Sequence, residues 1–191
     1  YVGWLVPTII GAIAPLMVTA GMHYGLVPFM LQSLSAQGFE QISGPGSLPS
    51  NIAQGAASLA VACRTKQSEL KQTAFTTGVT ALLGVTEPAL FSVTLKFKKV
   101  LICVMTGGAC GGLYAGLMGV KCFSFCSPGL LSMVAFVGPN GWNNFINACI
   151  SMIIGFVVTF VLVWVWGYRD AVEETPAVQE KPEAPKDVPV F

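Results

Sequence analysis

The chain has 191 residues, 53% of them hydrophobic and only 10% charged, with 21 glycines and 12 prolines. A soluble domain of this size carries about 25% charged residues, so the composition excludes an ordinary water-soluble domain. Net charge is only +1, with six of the nine acids after Arg169, and this balance implies no nucleic-acid surface.

Residues 1 to 39 contain no Asp, Glu, Lys or Arg, Glu40 is the only one before Arg64, and none occurs between Lys121 and Arg169. Those are membrane-spanning lengths at roughly 20 residues per helix crossing. The apolar run begins at once from Tyr1 without the basic leader of a signal peptide, so the chain reads as a fragment of something longer. Residues 2 to 31 predict one long or kinked span, broken by Pro7, Pro15 and Pro28. Residues 32 to 50 are rich in Ser, Gln, Gly and Pro and read as turns that cap a following helix; residues 51 to 63 are apolar but too short to cross.

From Gln67 to Leu83 the pattern is amphipathic, and Gly84 is placed to stop that helix. The sequence restarts at Pro88 and reaches Lys96 after about nine residues, or roughly 13 Å of helix. Two short arms joined at Gly84 predict a re-entrant hairpin. Residues 100 to 120 suffice for one span, with Gly108, Gly112 and Gly116 at every fourth position for close approach of another helix. Residues 121 to 141, bounded by Ser127-Pro128-Gly129 and Gly138-Pro139-Asn140-Gly141, predict a second short or re-entrant element. The last span runs from about Trp142 to Tyr168 and ends in the interfacial aromatics Trp164, Trp166 and Tyr168. Residues 170 to 191 are rich in Glu, Pro, Ala and Lys and read as a disordered linker after a membrane unit at residues 1 to 169. Basic residues at Arg64 to Lys71 and Lys96 to Lys99 mark cytoplasmic ends, which makes the intervening backbone enter the membrane and return.

The chemistry concentrates at Gly84-Val85-Thr86-Glu87-Pro88. An acid inside an apolar region is costly and normally faces a cavity, a partner charge or a ligand. The bland alternative for Glu87 is a loop acid beside a basic cluster. The functional reading is that unwound backbone and carboxylate together bind a hydroxylated solute, the carboxylate accepting a hydrogen bond and rejecting solutes that lack the hydroxyl. His23, the only histidine, lies in Gly21-Met22-His23-Tyr24-Gly25; it is either a hydrogen-bonded bundle residue or a second ligand for that solute. Cys122 and Cys126 share a helical spacing, but no nearby Cys, His or acid completes a tetrahedral set, so neither a metal nor a cofactor is expected.

Gly84-Val85-Thr86-Glu87-Pro88-Ala89 resembles the Gly-Ile-Thr-Glu-Pro-Ala signature of the sugar-translocating IIC component of bacterial phosphotransferase systems, glucose superfamily. Met22-His23-Tyr24-Gly25-Leu26-Val27-Pro28 is similar to the histidine motif of its β-glucoside and sucrose branch. The resemblance implies an all-α polytopic membrane protein, a transmembrane helix bundle with short re-entrant hairpins corresponding to the C-terminal transport domain of a IIC permease. It implies a multi-pass protein of the bacterial cell membrane, surrounded by lipid, with its C-terminal tail cytoplasmic. It also implies that Glu87 and His23 hold a β-glucoside-type sugar near the hydroxyl to be phosphorylated, with Thr86 and Gly84 shaping the hairpin. The phosphoryl donor is then a cysteine of a cytoplasmic IIB domain recharged by a IIA domain, no phospho-accepting residue lies within these 191 residues, and the parent is a homodimer. The rival readings from the residues alone are an ion- or proton-coupled transporter without phosphorylation and a non-catalytic membrane scaffold.

Overall fold

Prolines and glycines decide where this apolar chain is helical and where it turns. The structure, a computed structural model, describes residues 3–138 and 142–167, which are mostly helical, with connecting segments that include an isolated antiparallel bridge between Glu40 and Cys122. In order they form α1 (Leu5–Thr19), a 3-10 turn (Met22–Leu26), α2 (Val27–Gln37), α3 (Gly44–Arg64) and α4 (Ser68–Leu83). There follow the short α5 (Glu87–Ala89), which runs into a π turn (Leu90–Thr94), α6 (Lys98–Leu117), a 3-10 turn (Met133–Phe136) and α7 (Asn143–Leu162), extended by a π turn to Gly167. Two of these helices, Lys98–Leu117 and Asn143–Trp166, are long and apolar enough to cross a membrane.

Three sequence expectations need correction. The segment from 2 to 31 is not one kinked span: Gly21, at φ 67°, reverses the chain after α1, and α2 starts afresh with Pro28 in its first turn. The Gly-Pro-Gly-Ser and Pro-Ser-Asn segments do not cap α3 from outside but lie within it, giving a helix of 21 residues rather than the short piece 51 to 63. Burial explains this, since Pro45 occupies the first turn, where no N–H is needed, and Pro49 packs against Gly111 of α6 and Gly155 of α7. Residues 121–138 form an irregular loop with a single 3-10 turn at Met133–Phe136 rather than a short or re-entrant span, and Asn144 of α7 pins it by bonding the N–H and C=O of Lys121 and the C=O of Phe136. Tyr168 and the linker expected at 170 to 191 lie outside the described residues.

Helix α3 is the central element, packed on α1, α4, α6 and α7. Ala53, Ala57, Ala60 and Val61 of α3 form one core cluster with Val93 and Phe97 of the hairpin's return and Val100 and Val104 of α6. Helix α6 meets two neighbours through glycine. A Cβ at Gly108, Gly112 or Gly116 would fall on the carbonyl oxygens of Gly11 and Pro7 in α1 and of Trp4 just before it, and one at Gly107 or Gly111 on Thr159 and Ser151 of α7. The four-residue glycine period read from the sequence is therefore the α1 contact, at backbone-to-backbone distance.

The start of α3 is held by a buried carboxylate. Glu40 is 0% exposed, and its Oε2 accepts the N–H groups of Ile42 and Ser43, both at 2.9 Å, while Oε1 accepts that of Gly44. These N–H groups would otherwise be orphaned at the helix N-terminus, where the helix dipole also favours negative charge. Gly44 is required, because a Cβ there would collide with the Glu40 carboxylate.

Glu40→Gln, which keeps the shape and removes the charge, should lower the stability of the parent protein by about 2 kcal/mol through loss of charge-assisted bonds, read as a lower thermal midpoint in detergent. Gly112→Val should cost about 1–3 kcal/mol or prevent folding by wedging α6 from α1. Gly3→Ala, whose Cβ meets nothing within 4 Å, should leave the midpoint unchanged.

Candidate functional site

Helix α4 ends where Gly84 takes φ 111°, a conformation that a side chain would strain, and the chain re-enters a helix at Glu87 with Pro88 in the first turn. The loop after α6 braces this reversal. Ser127 Oγ donates to the Gly84 carbonyl at 2.8 Å, the Leu130 N–H donates to the Leu82 carbonyl at 2.9 Å, and a Cβ on Gly129 would sit 2.6 Å from the Gly84 nitrogen. The Asn51 amide of α3 donates to the Pro128 carbonyl at 2.7 Å, tying that loop to the central helix.

Between these parts lies a cavity of about 470 Å³, within the size range of small-molecule sites. Gly84, Val85, Thr86 and Glu87 line it from the hairpin, His23 and Tyr24 from the turn after α1, Ser43 from just before α3, and Ser47 and Asn51 from α3. Phe125, Cys126, Ser127 and Pro128 form the remaining polar and aromatic wall, and apolar residues of α1 and α2 make the floor. All four residues singled out from the sequence thus face one space, although more than 60 positions separate His23 from the hairpin.

Their environments differ. Thr86 is buried, His23 is half-buried with its Nδ1 enclosed and without a hydrogen-bond partner, and its ring leans on Tyr24 with centroids 4.1 Å apart. Glu87 lines the cavity with its side chain exposed rather than enclosed, because the reversal at Gly84 carries it to the hairpin tip. Among the described residues no Lys or Arg lines the space, so no described cation there pairs with the carboxylate, which can accept from a neutral hydrogen-bond donor. The site therefore has one anionic acceptor, an imidazole, several hydroxyls and an amide, with the exposed aromatic rings of Tyr24 and Phe125. That is a set for a neutral, polyhydroxylated ligand with one apolar face. Among the described residues no cluster of three or more His, Cys, Asp or Glu fits a metal ion.

Sequence reasoning missed Ser43, Ser47 and Asn51. Their four-residue spacing was present as a signal, but it lies in a segment whose Gly and Pro content reads as turn. It also missed Phe125 to Ser127 as a cavity wall, since only the fold brings the post-α6 loop against the hairpin.

The family described as "Phosphotransferase system, EIIC" matches residues 1–108 of this chain. The chain is 35% identical over 182 residues to the PTS system arbutin-, cellobiose-, and salicin-specific EIIBC component of Escherichia coli (strain K12), covering 95% of this chain and 38% of that protein. It is 34% identical over 169 residues to the PTS system beta-glucoside-specific EIIBCA component of Bacillus subtilis (strain 168), covering 86% of this chain and 27% of that protein. With the PTS system sucrose-specific EIIBC component of the same organism, identity is 32% over 165 residues, covering 86% of this chain and 35% of that protein. The chain thus spans well under half the length of these curated relatives. No solved structure matches it. The family's match over more than half the chain, including both the histidine turn and the Glu87 hairpin, makes this chain a member of the EIIC family of the phosphotransferase system.

Proposed function

We propose that the chain is the sugar-binding part of a phosphotransferase permease, taking a β-glucoside-type sugar in the cavity between the histidine turn, α3 and the Glu87 hairpin. The observation that carries this reading is the convergence of Gly84, Thr86, Glu87 and His23 on one hydroxyl-rich space with a single carboxylate. The β-glucoside, cellobiose, salicin and sucrose names of the relatives support the substrate class. Those relatives are phosphotransferase components, which gives the cation-coupled alternative no support.

In this reading Glu87 accepts a hydrogen bond from the sugar hydroxyl and draws off its proton as the hydroxyl oxygen attacks the phosphorus of a phosphocysteine on a IIB domain. The S–P bond breaks, the thiolate leaves, and the phosphorylated sugar is released inside. His23, through its free Nδ1, fixes the sugar's pose, while Gly84 and Thr86 shape the turn that presents Glu87. The EIIBC and EIIBCA composition of the relatives supports IIB and IIA domains as partners on a longer parent chain.

The membrane arrangement follows the same logic. The end of α3, the start of α4 and the start of α6 gather Arg64, Lys66, Lys71, Lys96, Lys98 and Lys99 at one end of the bundle, where Arg64 also stacks on Trp164 of the α7 extension at 4.9 Å. That basic, Trp-bearing end is the cytoplasmic interface. Helices α6 and α7 are spans, α4 and α5 form a re-entrant hairpin from that side, residues 1 to 169 form the membrane unit, and the tail from 170 is a cytoplasmic linker. The exposed α7 residues Ile146, Ile150, Ile153, Val157 and Val161 suit lipid, and the parent assembles as a homodimer.

In the full-length parent, Glu87→Gln should reduce phosphorylating uptake of salicin by about 100-fold or more at unchanged expression. His23→Ala should act mainly on KM, raising it about tenfold. Normal uptake by Glu87→Gln would contradict the proposal.

A further inference from the structure

The cavity has two chemically different halves. The hairpin, α3 and the loop after α6 supply Thr86, Glu87, Ser47, Asn51 and Ser127, whereas every described residue that α1 and α2 contribute to the lining is apolar. On α1 these are Ile10, Ala14, Met17 and Val18, which fall within an arc of about 100° on one face of the helix. That arc is not the outward face of α1, because Ile9, Ile13 and Leu16 are exposed while Ile10 and Ala14 are buried and Met17 and Val18 half-buried. The second helix repeats the pattern. Val27 and Met30 of α2, with Leu26 at the end of the preceding turn, line the cavity buried or half-buried, and Phe29 beside them is exposed.

This division selects what can occupy the second half. At about 470 Å³ the cavity is larger than a single pyranose needs and suits a ligand of two joined parts. One glucosyl unit finds hydrogen-bond partners on the polar half. A second sugar unit set against α1 and α2 meets aliphatic and thioether groups, so the hydroxyls around its rim lose water without gaining partners. An aryl group in the same place buries apolar surface instead. Met17 and Met30 are unbranched and polarizable, so they fill irregular gaps around a flat ring and make favourable sulfur contacts with its edge. The rings of Tyr24, in the turn that joins α1 to α2, and Phe125, in the loop after α6, add exposed aromatic surface to the same lining.

We propose that Met17, Val18, Leu26, Val27 and Met30 form an aglycone subsite, which makes the cavity selective for β-glucosides whose second half is an apolar aromatic group rather than another sugar. The proposal rests on the cavity being the sugar site, and it keeps the glucosyl unit and its reacting hydroxyl at Glu87. In a β-glucoside the substituent on C1 is equatorial, so the aglycone projects outward from the ring's edge. With the hydroxyls engaged on the polar half, it extends onto the α1 and α2 half.

The test is equilibrium binding to the full-length parent in membranes, without a phosphoryl donor, of phenyl β-glucoside, methyl β-glucoside and cellobiose. Phenyl β-glucoside should bind at least about tenfold more tightly than methyl β-glucoside, and cellobiose no more tightly than methyl β-glucoside. Met17→Gln, which sets an amide in the apolar half, should cut the phenyl-over-methyl affinity ratio about tenfold, and the volume-conserving Met17→Leu should keep it. Cellobiose binding as tightly as phenyl β-glucoside, or a ratio that Met17→Gln does not move, would overturn the proposal. Should Met17→Gln fail to accumulate, Leu26→Gln reads the same ratio from the turn, and the comparison of the three ligands on the unsubstituted parent stands without any variant. The two readings fail differently. Undiminished binding of methyl β-glucoside by Glu87→Gln contradicts the sugar site itself, whereas loss of the phenyl preference while methyl β-glucoside binding still depends on Glu87 contradicts the aglycone subsite alone.

Discussion

A single buried carboxylate sets the start of the helix on which everything else is assembled. Glu40 collects three backbone N–H groups at the N-terminus of α3, and from that point α3 runs 21 residues through the middle of the bundle. Removing a carboxylate from water is costly unless its lone pairs are filled. Here they are filled by groups that would themselves be unsatisfied, so each burial offsets the other. The same residue joins the Cys122 backbone in the isolated bridge, with N–H to carbonyl distances of 2.8 and 2.9 Å, which fixes the start of the loop that forms the far wall of the cavity. Helix start, cavity wall and loop are thus positioned from one residue.

Packing then determines the shape of the site. Glycines on two faces of α6 let α1 and α7 approach to backbone contact, and Pro49 of α3 fits against Gly111 and Gly155. With so little side-chain volume between these helices, the candidate-site cavity lies toward the ends of α1 and α4, which Gly21 and Gly84 close in left-handed conformations. The two motifs proposed to hold the sugar, around His23 and Glu87, stand beside those two reversals. Close packing in the bundle and irregular backbone at the cavity are two consequences of the same glycine-rich composition.

Much of this was legible in the sequence. The stop at Gly84, the restart beside Pro88 and the close-approach face of Gly108, Gly112 and Gly116 all follow from local stereochemistry, and the structure has them. What was not legible depends on burial. Gly44 to Asn51 reads as turn because intrinsic propensity penalises Gly and Pro, and only the surrounding helices and the Glu40 carboxylate make that segment helical. With α3 misread at its start, the row of Ser43, Ser47 and Asn51 was invisible as one face of the cavity. Glu40 stood out as an isolated acid, but its role depends on a chain reversal within four residues that no period announces.

The central claim is that sugar binds between the histidine turn, the polar face of α3 and the hairpin tip. A second cavity of about 490 Å³, lined by Trp4, Ser33, Gln37, Gln41 and Gly116 among others, lies beside the opposite end of α1 and contains none of these groups. A cryo-electron microscopy map of the full-length parent with bound salicin distinguishes the two. The account predicts glycoside density within hydrogen-bonding distance of Glu87 and His23, against Ser47 and Asn51. Glycoside density in the Trp4 and Gln37 cavity, with the Glu87 hairpin unliganded, would contradict it.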